Sequence, residues 1–113
     1  MKKSEVKITF NDEQLQIEQG SAKKLKVKWS EITSIQVFKR DLLAVDEICM
    51  KISTSEGKLL EINEEMTGWD DLVKSIPKYL EECTSFEEWF PKVAHPPMET
   101  NLTEIYESRN HAV

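Results

Sequence analysis

Two cysteines are the only thiol nucleophiles that this sequence offers. Cys49 lies in an alternating, strand-like stretch, and Cys83 lies on the apolar side of a helical stretch. A catalytic thiolate needs a base, a metal or a helix N-terminus to lower its pKa, whereas Cys83 falls near a helix C-terminus. We therefore interpret both as buried structural thiols. Two cysteines also favour a reducing cytoplasm over a disulfide-stapled secreted fold, and a Cys49–Cys83 bridge is the alternative.

The two histidines do not form a metal-binding motif. His95 precedes a double proline, His111 stands near the end of the sequence, and neither an H-x-x-x-H nor a C-x-x-C spacing occurs. The three glycines are isolated, so no glycine-rich loop could hold a phosphate. With no nucleophile–base pair visible either, we expect no metal, no cofactor and no enzymatic activity.

Carboxylates are concentrated in the second half of the chain. Residues 1–60 contain 11 Lys/Arg and 9 Asp/Glu, whereas residues 61–113 contain 4 and 12, within a net charge of −6. This asymmetry argues against nucleic-acid binding and suits a basic protein partner. The alternative is that these side chains only solvate the surface, with two of them complementing a helix dipole. The carboxylates expected to face a partner are Glu64, Glu65, Asp70, Asp71, Glu81, Glu82, Glu87 and Glu88.

Three lysines form the one basic pattern that could carry chemistry. Lys24, Lys26 and Lys28 alternate with apolar residues, so they share one face of a strand. Such a face could bind a phosphate headgroup at a membrane surface. Lysine is a point charge with less geometric specificity for phosphate than arginine, and lysines on an exposed strand also discourage edge pairing.

The first elements that the sequence predicts along the chain are strands, which position some of these residues. A chain of 113 residues is expected to form a single domain. Apolar residues alternate with polar ones in six segments up to residue 63, joined by short turns of which Ser55-Glu56-Gly57 is the clearest. Short turns favour antiparallel pairing. We therefore predict an antiparallel meander of six or seven strands over 1–63, with any seventh strand in 38–45, that curls into a barrel or is capped.

Helical periodicity follows the strands. Apolar residues recur at steps of three and four over 67–83, which predicts an amphipathic helix with Thr67 as N-cap, Gly68 as its first residue and a kink or break at Pro77. A second helix is predicted over 85–94, where Ser85 and Glu88 resemble a capping box. We expect a helical cap over 67–95 and an extended tail over 96–113. The tail residues expected to pin it are Leu102, Ile105 and Tyr106.

Four segments carry a resemblance to a known family. They are D-E-I-C at 46–49, E-E-M-T-G-W-D-D-L at 64–72, W-F at 89–90 and N-L-T-E-I-Y-E-S-R at 101–109. Together with the meander-then-helix order, they resemble small bacterial proteins with a pleckstrin-homology (PH)-like fold. The resemblance implies an α+β domain with a curled barrel and a C-terminal helix. It implies no activity, cofactor or catalytic residue.

The sequence as a whole favours a protein-binding function. We expect a cytoplasmic, non-enzymatic interaction module, either an adaptor or an immunity-type protein, that binds a basic protein through its acidic C-terminal half. No apolar run is long enough to span a bilayer, and no secretory signal is apparent. The alternative is a lipid- or phospholigand-binding module that uses the three lysines. The identity of the partner and the oligomeric state are not indicated by the sequence.

Overall fold

The described part of the chain comprises seven strands and two helices. The computed structural model describes residues 6–20, 23–41, 46–95 and 100–108, and the statements below concern these residues. A single 3-10 turn, Trp29–Glu31, separates the third and fourth strands. The elements in chain order are β1 (Val6–Phe10), β2 (Gln14–Gln19), β3 (Lys23–Lys28), β4 (Ile32–Asp41), β5 (Asp46–Thr54), β6 (Leu59–Asn63), α1 (Trp69–Tyr79), α2 (Phe86–Ala94) and β7 (Thr103–Glu107).

The first three strands form an antiparallel sheet in the order β1-β2-β3. Ile8 pairs with Ile17, which in turn pairs with Leu25. The alternation predicted from the sequence therefore directs one set of apolar side chains to the same face, because successive side chains of a strand point to opposite sides. The other face carries the lysines of β3.

The remaining strands form a second antiparallel sheet in the order β6-β5-β4-β7. The prediction of a curled barrel is wrong in this respect, since the described strands form two separate sheets. The 3-10 turn separates the strands of the two sheets: β3 ends at Lys28, Trp29 buries its side chain in the core, and β4 begins at Ile32.

The seventh strand is not where the sequence pattern predicts it. Residues 38–41 extend β4, and residues 42–45 lie outside the described ranges. The seventh strand is β7, within the predicted tail, and it pairs antiparallel with β4. Of the three residues expected to pin the tail, Ile105 is buried and Tyr106 packs on the core, but Leu102 is 58% exposed. The tail is thus a sheet strand that follows the helices.

Helix α1 packs against β1 of the first sheet, and its boundaries differ from the predicted ones. Thr67 is not the N-cap, because its backbone bonds to β1: Ile8 N donates to Thr67 O at 2.7 Å, and Thr67 N donates to Val6 O at 3.1 Å. Gly68 is the N-cap, with a left-handed φ of 96°. The helix continues through Pro77 as one element and ends two residues later. Its apolar face is buried as expected, through Trp69, Leu72, Val73, Ile76 and the C-cap residue Leu80.

Helix α2 begins after its N-cap Ser85, as predicted, but the Ser85 side chain makes no capping hydrogen bond. Trp89 is buried and its neighbour Phe90 is 37% exposed, so the two adjacent aromatics divide between core and surface. A buried lysine holds the C-terminal end of α2. Lys39 of β4 donates from Nζ to the carbonyl of Ala94 at 2.8 Å, where a cation also complements the helix dipole. The common core draws residues from both sheets and both helices.

Candidate functional site

The structure separates the eight carboxylates of the sequence prediction into different places. Glu81 and Glu82 follow α1 and line a large groove. Glu64, Asp70 and Asp71 line a smaller depression at the start of α1. Glu65 is exposed beside that depression, and Glu87 and Glu88 are exposed in the first turn of α2. The eight carboxylates therefore do not form one continuous acidic surface but lie at several separate places.

The large groove is a concave surface to which several parts of the fold contribute. Its volume is about 650 Å³, within the range of about 300–1,000 Å³ that ligand pockets occupy. Four parts of the fold meet there: the β1–β2 turn, the end of β3 with the 3-10 turn, the residues after α1, and the end of β7. The lining residues with acidic side chains are Asp12, Glu13, Glu81, Glu82 and Glu107.

One lysine, Lys28, lines the groove with these five carboxylates. All five carboxylates are exposed, so each keeps part of its hydration in the free protein. Like charges held around one concave surface focus a negative potential that attracts cations and raises the rate of their association. The groove thus combines acidic side chains with a concave shape, and both properties favour the approach of cations.

Aromatic rings form the wall of the groove. The indole of Trp29 stacks on the ring of Tyr79, with centroids 4.8 Å apart and an interplanar angle of 11°. Phe10 meets both rings edge-on, at 6.4 Å from Trp29 and 6.0 Å from Tyr79. Tyr106, from β7, lines the same groove and is half-buried. Trp29, Tyr79 and Tyr106 line the groove, and Phe10 packs against the first two of these rings from β1.

The turn that carries Asp12 and Glu13 is held in place by hydrogen bonds. The Asn11 side-chain oxygen accepts from the backbone N–H of Glu13 at 2.8 Å and of Gln14 at 3.0 Å, which is an Asx turn. The Asn11 carbonyl accepts from the indole N–H of Trp29 at 2.7 Å. The turn and the aromatic wall are therefore one connected unit.

The residues after α1 are fixed against β7. Cys83 N donates to Leu80 O at 3.2 Å, and Thr84 N donates to Ile105 O at 2.8 Å. Glu82, which lies between Leu80 and Cys83 in the chain, has a left-handed φ of 69°. This conformation costs an L-residue about 1–2 kcal/mol. At the other end of the site, Ser108 N donates to Thr33 O at 2.7 Å. These bonds fix the backbone next to Glu81 and Glu107, which both line the groove.

Sequence reasoning missed most of this groove. It identified Glu81 and Glu82 but not Asp12, Glu13 or Glu107, which lie far away in the chain. The Asx-turn signal of Asn11-Asp12 was available locally. Glu107 reaches the groove because β7 pairs with β4, and the sequence pattern did not predict that pairing.

The smaller depression contains Glu64, a carboxylate whose pKa is shifted. Glu64 is half-buried, and its Oε2 accepts from the backbone N–H of Ile48 at 2.8 Å. Burial raises the pKa of Glu64, and the nearby carboxylates of Glu65, Glu47 and Asp70 raise it further, although the Ile48 bond acts in the opposite sense. The volume of this depression is about 210 Å³, below the usual range for ligand pockets.

The three lysines of the alternative prediction share one exposed face. Lys24, Lys26 and Lys28 alternate along β3, at the edge of the first sheet, and all three are exposed. Lys7 of β1 lies on the same face, but Glu18 stands between it and Lys24 in the paired strands. The face is therefore basic with one acidic interruption.

Both cysteines are free and buried, so the described structure contains no Cys49–Cys83 bridge. Burial raises the pKa of each thiol to about 12. Among the described residues, no group of three or more His, Cys, Asp and Glu side chains is arranged to hold a metal ion. Neither of the two described helices has the length and apolarity needed to cross a bilayer.

Comparison with known proteins identifies no relative. No protein-family model matches the chain, and neither the curated proteins nor the solved structures yield a significant match. The function is therefore argued from the geometry of the groove.

Proposed function

We propose that this chain is a non-enzymatic protein-interaction module of PH-like architecture that binds a basic protein through its acidic surface, with the groove at the centre of the contact. One observation carries the proposal: among the described residues, five carboxylates from three parts of the fold line the groove together with one lysine. Complementary charge at such a surface steers encounter and selects basic partners over acidic ones. Adaptor and immunity-type roles both use this kind of contact.

The aromatic wall supports a protein partner. Aromatic residues are enriched at the centres of protein interfaces, where they supply contact area at a low entropic cost. In the groove, Tyr79 and Tyr106 are both half-buried, so each retains accessible ring surface next to the carboxylates. An apolar wall with an acidic rim suits a partner segment whose side chains combine an apolar methylene chain with a positive charge.

The PH-like part of the proposal is supported by the two antiparallel sheets, of three and four strands, with α1 packed against β1 of the first. Strand β7 follows the helices, and this departs from an architecture in which the helix comes last. The proposal includes a cytoplasmic location, for which the support is the pair of free, buried cysteines.

The test is capture of a partner by matched variants. The groove variant is Glu81→Gln with Glu107→Gln, and the control variant is Glu56→Gln with Glu104→Gln, which removes the same charge from exposed positions outside the groove. The unmodified chain and the control are expected to retain one and the same basic protein, identified by mass spectrometry. The groove variant should bind it about tenfold more weakly.

Two results would contradict the proposal. One is capture of the same basic protein by the groove variant with unchanged affinity. The other is no specific partner at either low or physiological ionic strength, since screening by salt should weaken but not abolish a contact that also has apolar area.

A second candidate function rests on the exposed lysine face of β3. Under this alternative the chain binds an anionic lipid or phospholigand through Lys24, Lys26 and Lys28. Co-sedimentation with vesicles of anionic phospholipid tests it: charge reversal at the three lysines should abolish sedimentation if this function is correct. Lys28→Gln distinguishes the two functions, because it should weaken vesicle binding but strengthen binding of a basic protein in the groove that Lys28 lines.

A further inference from the structure

Strand β3 is an edge of the first sheet, and within the described ranges it pairs with β2 alone. A hydrogen bond from Trp29 N to Glu13 O, at 3.1 Å, fixes the phase of this pairing. Because hydrogen bonds alternate along an antiparallel ladder, Leu25 and Val27 bond to β2. The residues between and beside them direct their backbone N–H and C=O groups to the other side of β3. These residues are Lys24, Lys26 and Lys28.

The two edges of the first sheet differ in how their backbone groups are used. The edge of β1 is bonded to the chain before α1, since Ile8 N donates to Thr67 O at 2.7 Å. On the edge of β3, Lys28 N donates to the side chain of Glu31 at 3.0 Å, which closes that edge at its end. The groups of Lys24 and Lys26 face outward before this point. Backbone groups at such an edge are a template on which a further strand can pair.

The residues that face this edge also carry its charge. Lys24, Lys26 and Lys28 are exposed, and none of the ion pairs among the described residues involves them. In β2, Lys26 and Lys28 lie opposite glutamines, and only Lys24 lies opposite a carboxylate, that of Glu18. The positive charge of the edge is therefore available to a strand that would pair on its other side.

The opposite face of β3 is apolar and incompletely covered. Val27 is 1% exposed, whereas Leu25 is 42% exposed. Side chains of neighbouring strands that point to the same face of a sheet pack against each other. An added strand would therefore cover Leu25 with an apolar side chain while its next side chains lie beside the lysines.

We propose that the edge of β3 binds an extended acidic segment of another protein as an additional antiparallel strand. Carboxylates at every second position of the segment lie opposite Lys24 and Lys26, and the apolar residue between them packs on Leu25. The spacing matches, because residues i and i+2 are about 6.6–7 Å apart in any strand. The inference concerns a surface other than the acidic groove and does not rest on the proposed function.

The same features disfavour two other occupants. A second copy of β3 would place lysines opposite lysines, and like charges directly opposite destabilise a strand pair. An anionic lipid headgroup would contact the ammonium groups but would use neither the outward backbone groups of Lys24 and Lys26 nor the exposed side chain of Leu25.

The test is a titration of the full chain with a capped peptide in which glutamate alternates with valine. A control peptide has the same composition, with all its glutamates at one end. Backbone amide hydrogen exchange of the chain is followed by NMR spectroscopy. With the alternating peptide, exchange at the amides of Lys24 and Lys26 should slow at least about tenfold, because they become hydrogen-bonded. The amide of Val27, which already bonds to β2, should change little, and the control peptide should protect none of them.

N-methylated peptides distinguish strand pairing from simple charge attraction. In the proposed antiparallel register, the glutamates opposite Lys24 and Lys26 form the hydrogen-bonded pairs, and the valine N–H groups point away from β3. Methyl groups on the glutamate nitrogens should therefore weaken binding at least about tenfold. Methyl groups on the valine nitrogens leave these bonds intact and serve as the matched control. Equal affinities of the two methylated peptides would overturn the inference.

Variants of the chain give a second measurement. Lys24→Gln and Lys26→Gln should each weaken binding of the alternating peptide about two- to fivefold, the contribution of one cross-strand charge pair. Lys7→Gln removes the same charge from the same face of β1, whose edge is bonded to Thr67, and should leave the affinity unchanged. Equal affinity for the alternating and control peptides overturns the inference. Sedimentation with anionic vesicles without any binding of the peptide also overturns it, and assigns the lysines to the lipid alternative.

Discussion

The indole of Trp29 stacks on the ring of Tyr79 at 4.8 Å, although one residue belongs to the turn between the two sheets and the other ends helix α1. The stack is therefore a tertiary contact that connects the first sheet, the start of the second and the helix. It also forms part of the groove wall. Stability and recognition are expected to depend on the same pair of rings.

Replacement of Tyr79 tests this dual role. Tyr79→Ala should lower the free energy of unfolding by about 2 kcal/mol, of which about 0.5–1.5 comes from the ring pair and the rest from lost apolar burial. Tyr79→Phe keeps the stacked ring and should cost much less. Urea denaturation of both variants measures the difference. A Tyr79→Phe cost equal to that of Tyr79→Ala would show that the stack contributes nothing.

The entry to α1 depends on the conformation of a glycine. Gly68 has a φ of 96°, and a Cβ at this position would lie 2.2 Å from the carbonyl oxygen of Ile8. Gly68→Ala should cost about 1–2 kcal/mol for the left-handed backbone and about 1–3 kcal/mol more for the clash. Thermal denaturation is the measurement.

Gly57 provides the matched control for that substitution. It also has a left-handed φ, of 83°, but a Cβ there meets nothing within 4 Å. Gly57→Ala should therefore cost only the backbone term of about 1–2 kcal/mol. Equal losses at the two positions would mean that the strand–helix junction relaxes to admit the methyl group.

Glu64 predicts a dependence of stability on pH. Its pKa is raised in the folded state, chiefly by burial, so the folded chain binds a proton more readily than the unfolded chain does. Stability is then lost as pH rises from about 4.3, the pKa of an unfolded glutamate, through the higher folded pKa. Glu64→Gln removes this loss, because a neutral amide oxygen can still accept from Ile48 N–H.

The variant should therefore gain stability relative to the unmodified chain as pH increases through that window, and equal it below the window. Denaturant titrations at several pH values measure the gain. Glu104→Gln removes the same charge from an exposed site of β7 and controls for net charge. A difference between Glu64→Gln and the unmodified chain that does not change with pH would show that Glu64 is not the group responsible.

The cysteines should be unreactive in the folded protein. Burial raises the pKa of the Cys49 and Cys83 thiols to about 12, so almost no thiolate exists at neutral pH. Iodoacetamide should modify neither residue in native protein and both in denaturant, as mass spectrometry would show. Rapid modification of either thiol under native conditions would contradict the burial described above.

Local sequence patterns were sufficient to predict β1 to β6 and the buried side of α1. Alternation in β1 to β3 and the three-to-four spacing of Trp69, Leu72 and Ile76 depend on neighbours in the chain, so they can be recognised without a structure. The same logic located α2 after Ser85. The start of α1 was predicted one residue too early, because the backbone bonds from Thr67 to β1 decide that boundary.

The groove could not be predicted in the same way. Glu81 and Glu82 were identified from charge, but their partners Asp12, Glu13 and Glu107 reach the site through strand pairing between distant parts of the chain. Leu102 and Ile105 illustrate the same limit. Both are apolar residues of one segment, and only the sheet determines that the first is exposed and the second buried.

The position of β7 beside β4 also has a consequence for how the chain folds. Thr103 of β7 pairs with Val37 of β4, and both helices lie between these two strands in the chain. A contact between such distant segments closes a long loop, which makes its formation slow for entropic reasons. Until it forms, β4 has an open edge with unpaired backbone groups, and open edges promote intermolecular pairing. During biosynthesis the protein is therefore most prone to aggregation just before its last strand docks, and docking completes the groove in the same step.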